Sequence, residues 1–211
     1  MATKKFEFTG DTKTVAGTTL RRIRAIASFA HVKAGEIGGW IEHAGNLEKF
    51  GNASVSSNAW VSGDACVSGN ARVSGDAWVS GDAMVSGDAM VSGNARVSGN
   101  AWVFGDACVS GNARVFGNAW VSGDARVLGD ARVEKDGDVL WFKNTWSSGR
   151  WFTYTRSNGK WTVGCFYGTG EELVKKAYAD SETIGKCYEA IVRAVETIET
   201  AMSGQEADDG K

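Results

Sequence analysis

Proline is missing altogether from the 211-residue chain, although glycine occurs 28 times. A chain rich in turn-forming glycine but without proline keeps its backbone N–H groups free for hydrogen bonding, which fits a body built of strand ladders. Histidine is nearly missing as well. His31 and His43 are the only two, too few for a three-histidine metal centre. The four cysteines, Cys66, Cys108, Cys165 and Cys187, have no paired spacing, so neither a metal motif nor a disulfide framework is indicated. Cys165 and Cys187 sit in apolar stretches and read as packing residues. The net charge is only −2, which removes bulk attraction for nucleic acid as an argument. No apolar run approaches the length of a membrane span. Behind the lysines of the N-terminal segment there is no apolar stretch, so no secretory signal is read. Asn52-Ala53-Ser54 matches a glycosylation sequon, but without a signal it carries little weight. These absences point to a cytoplasmic, reduced protein with no membrane association.

What is there is a repeat. Residues 51–134 form fourteen consecutive hexads of the pattern Gly-Asn/Asp-Ala-x-Val-x. The third position is always Ala, the fifth always Val, and Ser57 is the single departure from Gly at the first. Period-two alternation puts Ala and Val on one face of a short strand and the residue between them on the other. Glycine reaches positive φ without penalty and Asn or Asp bonds nearby backbone, so each strand ends in a corner. A strict short period makes a coil that stacks on itself, with Ala and Val filling a narrow bore.

One position per hexad therefore faces outward. In order these are Ser54, Trp60, Cys66, Arg72, Trp78, Met84, Met90, Arg96, Trp102, Cys108, Arg114, Trp120, Arg126 and Arg132. Lys, Glu and Asp are absent from the set. Loss of Lys and Glu with gain of Trp, Met and Arg is the composition of a protein interface. The tryptophans also allow two other readings: a ladder that stabilises its own sheet, or a platform for bases or sugars. Stacked arginines repel by roughly 1 kcal/mol at about 5 Å in water. They call for anions, either carboxylates of a neighbouring subunit or cap, or a phosphate-bearing ligand. Asp88, Asp106 and Asp124 recur at 18-residue spacing. They match no calcium-loop motif and read as corner residues bonding backbone.

The flanks read as caps for the open ends of a solenoid. Phe6-Glu7-Phe8 and Leu20 to Ile26 look strand-like, broken by Gly10 and Gly17. Segments such as Gly39-Trp40-Ile41 resemble degraded hexads. After the repeat, strands are expected over Val139 to Thr145, Trp151 to Arg156 and Trp161 to Tyr167, with Asn158-Gly159 as a hairpin turn. Helices are expected over 170–179 and from Glu182 to Met202, the second capped by Ser181. Ile184, Tyr188, Ile191, Val195, Ile198 and Met202 form a heptad-spaced stripe. It packs either on its own hairpin sheet or on the same helix of other subunits as an oligomerisation helix. The organisation is thus an N-terminal β cap over 1–44, a solenoid over 45–138, a β-sheet with helices over 139–203 and a disordered tail over 204–211.

The hexad pattern resembles the hexapeptide-repeat, left-handed parallel β-helix family. That resemblance implies a triangular coil of three hexads and a left-handed winding. On an 18-residue coil, one face carries Trp60, Trp78, Arg96, Arg114 and Arg132, a second Cys66, Met84, Trp102 and Trp120, and a third Ser54, Arg72, Met90, Cys108 and Arg126. Many members are acyltransferases that use a histidine between subunits as general base. Here only His43 is a candidate, and the repeat carries no inserted loop. Phe6-Glu7-Phe8-Thr9-Gly10, Leu20 to Ala25, Gly38-Gly39-Trp40-Ile41 and Thr162 to Thr169 flank the array. With it they are similar to phage and prophage hexapeptide-repeat proteins labelled putative transferases or polymer-forming cytoskeletal proteins. This second resemblance implies an accessory protein of an infected bacterial cell, of a kind that often blocks host factors, defence systems included.

The expectation is therefore a mainly β, non-enzymatic binding protein, homo-oligomeric through the β-helix with a trimer favoured. It engages a host protein through Trp60, Trp78, Trp102, Trp120, Arg72, Arg96, Arg114, Arg126 and Arg132. No metal or cofactor is expected. A sponge for a nucleotide, nucleic acid or other anion is the alternative, and acyltransfer through His43 a second one.

Overall fold

The computed structural model describes residues 4–206. The chain divides into two compact units. One comprises the residues up to Trp141 together with Thr155–Asn158; the other comprises Phe142–Tyr154 and the residues from Gly159 on.

The first unit is a parallel β-solenoid of about five turns. Its N-terminal strands are β1 (Phe6–Val15), β2 (Thr18–Ala25) and β3 (Ile37–Ile41). Fourteen two-residue strands, β4 to β17, then occupy the x-Val pair of each hexad, from Ser54–Val55 to Arg132–Val133. Their brevity follows from the corners. Gly63 through Gly129 hold φ between +59° and +74°, a region that costs an L-residue with a side chain roughly 1–2 kcal/mol. Partners lie 18 residues apart, as in Arg96↔Arg114 and Val97↔Val115. The ladder bonds confirm this pitch: Arg72 N–H donates to the Ala89 carbonyl and Ser74 N–H to the Val91 carbonyl, both at 2.9 Å.

Three sheets result. The first runs β1-β2-β3-β5-β8-β11-β14-β17, the second β16-β13-β10-β7-β4 and the third β15-β12-β9-β6. From Ala59 to Val133 every repeat Ala and Val is fully buried, and together they form the bore. The expected columns are thus reproduced residue for residue. The first sheet adds a feature. The antiparallel hairpin β1–β2 leads into β3, and β3 pairs in parallel with β5. The N-terminal cap is a continuation of one solenoid face.

The open ends are closed by side chains. At the first coil, Glu42 and Glu48 accept from the Gly63 and Gly69 N–H groups, each at 2.7 Å. Buried Asn46 donates to the Gly63 and Ala65 carbonyls at 2.8 and 2.9 Å. Lys5, only 3% exposed, donates to the Ala53 carbonyl at 2.7 Å and the Phe50 carbonyl at 3.3 Å. At the last coil, Asp136 accepts from Trp120 N–H at 3.0 Å and Ser157 Oγ accepts from Arg132 N–H at 2.7 Å. Such partners satisfy strand-edge groups that would otherwise recruit another chain.

The C-terminal sheet has the order β18 (Val139–Lys143), β19 (Trp151–Thr155), β20 (Lys160–Val163), β21 (Phe166–Gly168). The single strand expected over Trp161 to Tyr167 is in fact a hairpin. Gly164 turns the chain at φ +59°, and Val163 pairs antiparallel with Phe166. Helix α1 (Gly170–Asp180) starts at a capping box of Thr169 and Glu172. Helix α2 (Glu182–Glu206) follows. It runs past Gly204, where the sequence suggested a tail, and residues 207–211 lie outside the described residues. Within the second unit Tyr188 and Val195 are buried with Val192, Phe152, Trp161 and Leu173, while Ile184 and Ile191 pack at the margin. Ile198 and Met202 are exposed. The first part of the heptad stripe therefore packs on its own sheet. No helix among the described residues is long and apolar enough to cross a membrane.

Candidate functional site

The outward columns differ in how far their own neighbours cover them. On the first sheet, register places Arg22, Trp40, Trp60, Trp78, Arg96, Arg114 and Arg132 in one row. Trp60 and Trp78 stack at 4.2 Å with planes 14° apart. Cations close the aromatic run at both ends. Arg22 and Lys13 lie 4.9 and 4.5 Å from the Trp40 ring, and Arg96 lies 5.3 Å from the Trp78 ring. Burial against these rings, together with the charge of Arg22, lowers the Lys13 pKa, against which Asp76 acts. Such contacts contribute about 0.5–1 kcal/mol each where exposed. The stack and its flanking cations leave both indoles of this pair half-buried within their own sheet.

Below the stack the same face opens. Trp78, Ser80, Arg96, Ser98, Arg114 and Phe116 line a cleft of about 300 Å³. Arg96, Arg114 and Arg132 are exposed, and the carboxylates that pair other cations of the chain lie elsewhere, as in Arg24–Glu7 and Arg193–Glu189. Trp78 lines the cleft, while its Nε1–H is closed off from solvent without a hydrogen-bond acceptor.

The third sheet is different. Trp102 and Trp120 stack at 5.2 Å with planes 5° apart. Phe104 meets Trp120 edge-on at 6.1 Å. Yet the two indoles remain 39% and 46% exposed, with Met84 next in the column. The second sheet aligns Ser54, Arg72, Met90, Cys108 and Arg126; Met90 is 43% exposed, whereas Ser54, expected to face solvent, is buried at 4%.

The corners are amide and carboxylate ladders. Asn52 donates to Asn70 and Asn70 to Asp88, at 2.9 and 3.0 Å. Asp88, Asp106 and Asp124 continue that corner. Among the described residues no group of three or more His, Cys, Asp or Glu is arranged to hold a metal ion. His43 caps a short turn: its Nδ1 accepts from the Gly45 N–H at 3.1 Å, and its Nε2 lies 2.9 Å from the Gly63 carbonyl. Both ring nitrogens are occupied by backbone groups.

Trp40, Arg22, Lys13, Phe104 and Phe116 escape a reading confined to the outward position of each hexad. Trp40 lies in a degraded hexad and Phe104 and Phe116 in sixth positions. The available signal is that both replace a serine found at most sixth positions.

The hexads are similar to the YdcK beta solenoid repeat, whose family model matches residues 65–81, 77–93, 89–105 and 107–123. No curated protein matches the chain. Repeat pattern, family match and coil geometry agree that this is a β-solenoid repeat protein.

Proposed function

We propose that the chain is a non-enzymatic binding protein whose working surface is the exposed aromatic column of the third sheet. The observation that carries this reading is the Trp102–Trp120 stack, left open to solvent beside Phe104 and Met84. Large exposed apolar patches on a rigid body mark interaction sites. Tryptophan at the centre of such a patch is the residue type most often found to dominate binding energy. The first occupant is a second copy of the chain, giving a homo-oligomer with a trimer favoured. The second is a host protein in the cytoplasm of a bacterial cell. The phage setting, and a role in blocking a host factor such as a defence system, rest on the resemblance of the flanking motifs. His43 gives acyltransfer little support, since both its ring nitrogens are engaged.

The test is affinity capture from host lysate with the wild-type chain and with Trp102→Ser/Trp120→Ser. A host protein retained by the first and lost by the second supports the reading. Equal retention by both contradicts it.

A second reading is favoured by the cleft of the first sheet, which the exposed Arg96 and Arg114 line and the exposed Arg132 follows in the same row. Guanidinium forks suit phosphate, so the cleft is a site for a nucleotide or another anion. Calorimetry with ATP and with pyrophosphate tests it. Replacing the three arginines by Gln should abolish binding, and unchanged affinity ends the idea.

A further inference from the structure

The cleft of the first sheet is a trough with two unlike walls. Side chains at the fourth and sixth hexad positions stand on the outer face, with an inward valine between them. Trp78, Arg96 and Arg114 form one wall, and Ser80, Ser98 and Phe116 the other. Arg96 and Arg114 are ladder partners, so they start one coil apart, about 5 Å. The Trp78 ring lies 5.3 Å from the Arg96 guanidinium, a contact that restrains it. Ser98 stands beside Arg96 and Phe116 beside Arg114. Phe116 is half-buried and has no ring partner among the described residues.

The charges around the two arginines are set for an anion. Among the described residues neither Arg96 nor Arg114 has a carboxylate at ion-pair distance. The corners that flank them are neutral on both sides: Asn94 and Asn100 on one coil, Asn112 and Asn118 on the next. These bond as amide pairs, Asn94 donating to Asn112 and Asn100 to Asn118, each at 3.1 Å. On the coil before, the same two corners are Asp76 and Asp82; on the coil after, Asp130 and Asp136. The solenoid accepts aspartate at such a corner, since Asn58 donates to Asp76 in the same way. Corner geometry therefore does not select the four asparagines. Their common effect is to leave two adjacent guanidinium groups uncompensated, and such a pair is relieved by a shared anion. The exposed Glu134, two residues beyond Arg132, ends the cationic stretch.

We propose that the occupant of this cleft is a nucleoside diphosphate, an assignment that rests on the cleft being the anion site described above. The diphosphate bridges Arg96 and Arg114 and accepts from the Ser98 hydroxyl. The base lies on Phe116. A bare anion has no use for an aromatic wall, yet Phe116 replaces the serine that the three preceding coils carry at this position, Ser62, Ser80 and Ser98. Stacking on an aromatic side chain is what a base adds to a phosphate. The volume of about 300 Å³ lies at the low end of the roughly 300–1,000 Å³ typical of small-molecule sites.

The experiment is calorimetry on the full chain with ADP and with pyrophosphate. ADP is expected to bind at least about fivefold tighter, the share that stacking of one base supplies. Phe116→Ser should bring ADP down to the affinity of pyrophosphate and leave pyrophosphate unchanged. Asn112→Asp/Asn118→Asp keeps both corner hydrogen bonds, because each carboxylate still accepts, and should weaken both ligands by about three- to tenfold. Serine at the sixth position and aspartate at these corners already occur in other coils, so both variants retain the fold. If ADP binds no tighter than pyrophosphate, or if Phe116→Ser keeps the full ADP affinity, the nucleotide assignment is overturned while the anion site stands. If neither ligand binds, or if the double Asp variant leaves both affinities unchanged, the anion site falls and the nucleotide with it.

Discussion

Replacing Gly87 by alanine should cost the solenoid about 2–4 kcal/mol, and the reason lies in how coils stack. Gly87 sits at φ +69°, where a Cβ costs about 1–2 kcal/mol. The added methyl would also stand 2.8, 3.0 and 3.2 Å from the N, O and Cα of Gly105. All three are backbone atoms of the next coil, held by ladder bonds such as Asp88 N–H to the Gly105 carbonyl at 2.8 Å. They cannot rotate away, so overpacking adds about 1–3 kcal/mol. Alanine stiffens the unfolded chain and returns about 0.4–1 kcal/mol. Gly17→Ala is the control. Its φ is +84°, but nothing lies within 4 Å of the added methyl, so about 1 kcal/mol is expected from the dihedral alone. Urea unfolding of the two variants, followed by far-UV circular dichroism, measures the difference. If Gly87→Ala is no more destabilising than Gly17→Ala, contact between successive corners is not what selects glycine, and the stacking argument fails.

Ser57 is the one solenoid corner in the left-handed region without glycine, at φ +58°. Ser57→Gly should therefore raise stability by a few tenths to about 1 kcal/mol in the same assay, after the entropy cost of glycine; a loss would show that the serine side chain has a role of its own. Burial lowers the Lys5 pKa from its ordinary 10.5 to about 8, against a weaker opposite pull from Glu48. Between those pH values the unfolded chain binds more protons than the folded one, so stability rises with pH across that window. Relative to Lys5→Met the wild type should gain up to about 3 kcal/mol from pH 8 to 10.5. Parallel pH profiles for the two chains would place Lys5 in water.

The hexads made the solenoid readable because their alternation fixes the face of each side chain, while the resemblance to hexapeptide-repeat β-helices supplied the three-hexad coil that sets its partner. Knowing that Val97 is inward was enough to place Arg96 outward, and the 18-residue coil implied by the resemblance then set it opposite Arg114. Where the spacing breaks, the reading thins. Trp40 joins the row of Trp60 and Trp78 through a parallel pairing that no period announces. The hairpin at Gly164 was hidden because Trp161 to Tyr167 alternates well enough to pass for one strand, and only the positive φ divides it. The different fates of the two tryptophan pairs were also hidden. Both occupy the same hexad position, but Arg96 and Trp40 flank one pair, while the other ends at Trp120 in the terminal strand of its sheet. Tyr188 was read correctly as part of a helix stripe. That its hydroxyl lacks a partner depends on atoms from distant segments, which a stripe does not encode.

The binding account rests on Trp102 and Trp120 being exposed in one chain and covered in solution. Size-exclusion chromatography with light scattering, combined with acrylamide quenching of tryptophan fluorescence, tests this most directly. The account predicts a mass that is a multiple of 22.4 kDa, reduced to a single chain in Trp102→Ser/Trp120→Ser, with the wild-type indoles shielded. A wild-type mass of one chain, with tryptophans as open to quencher as free indole, would contradict it.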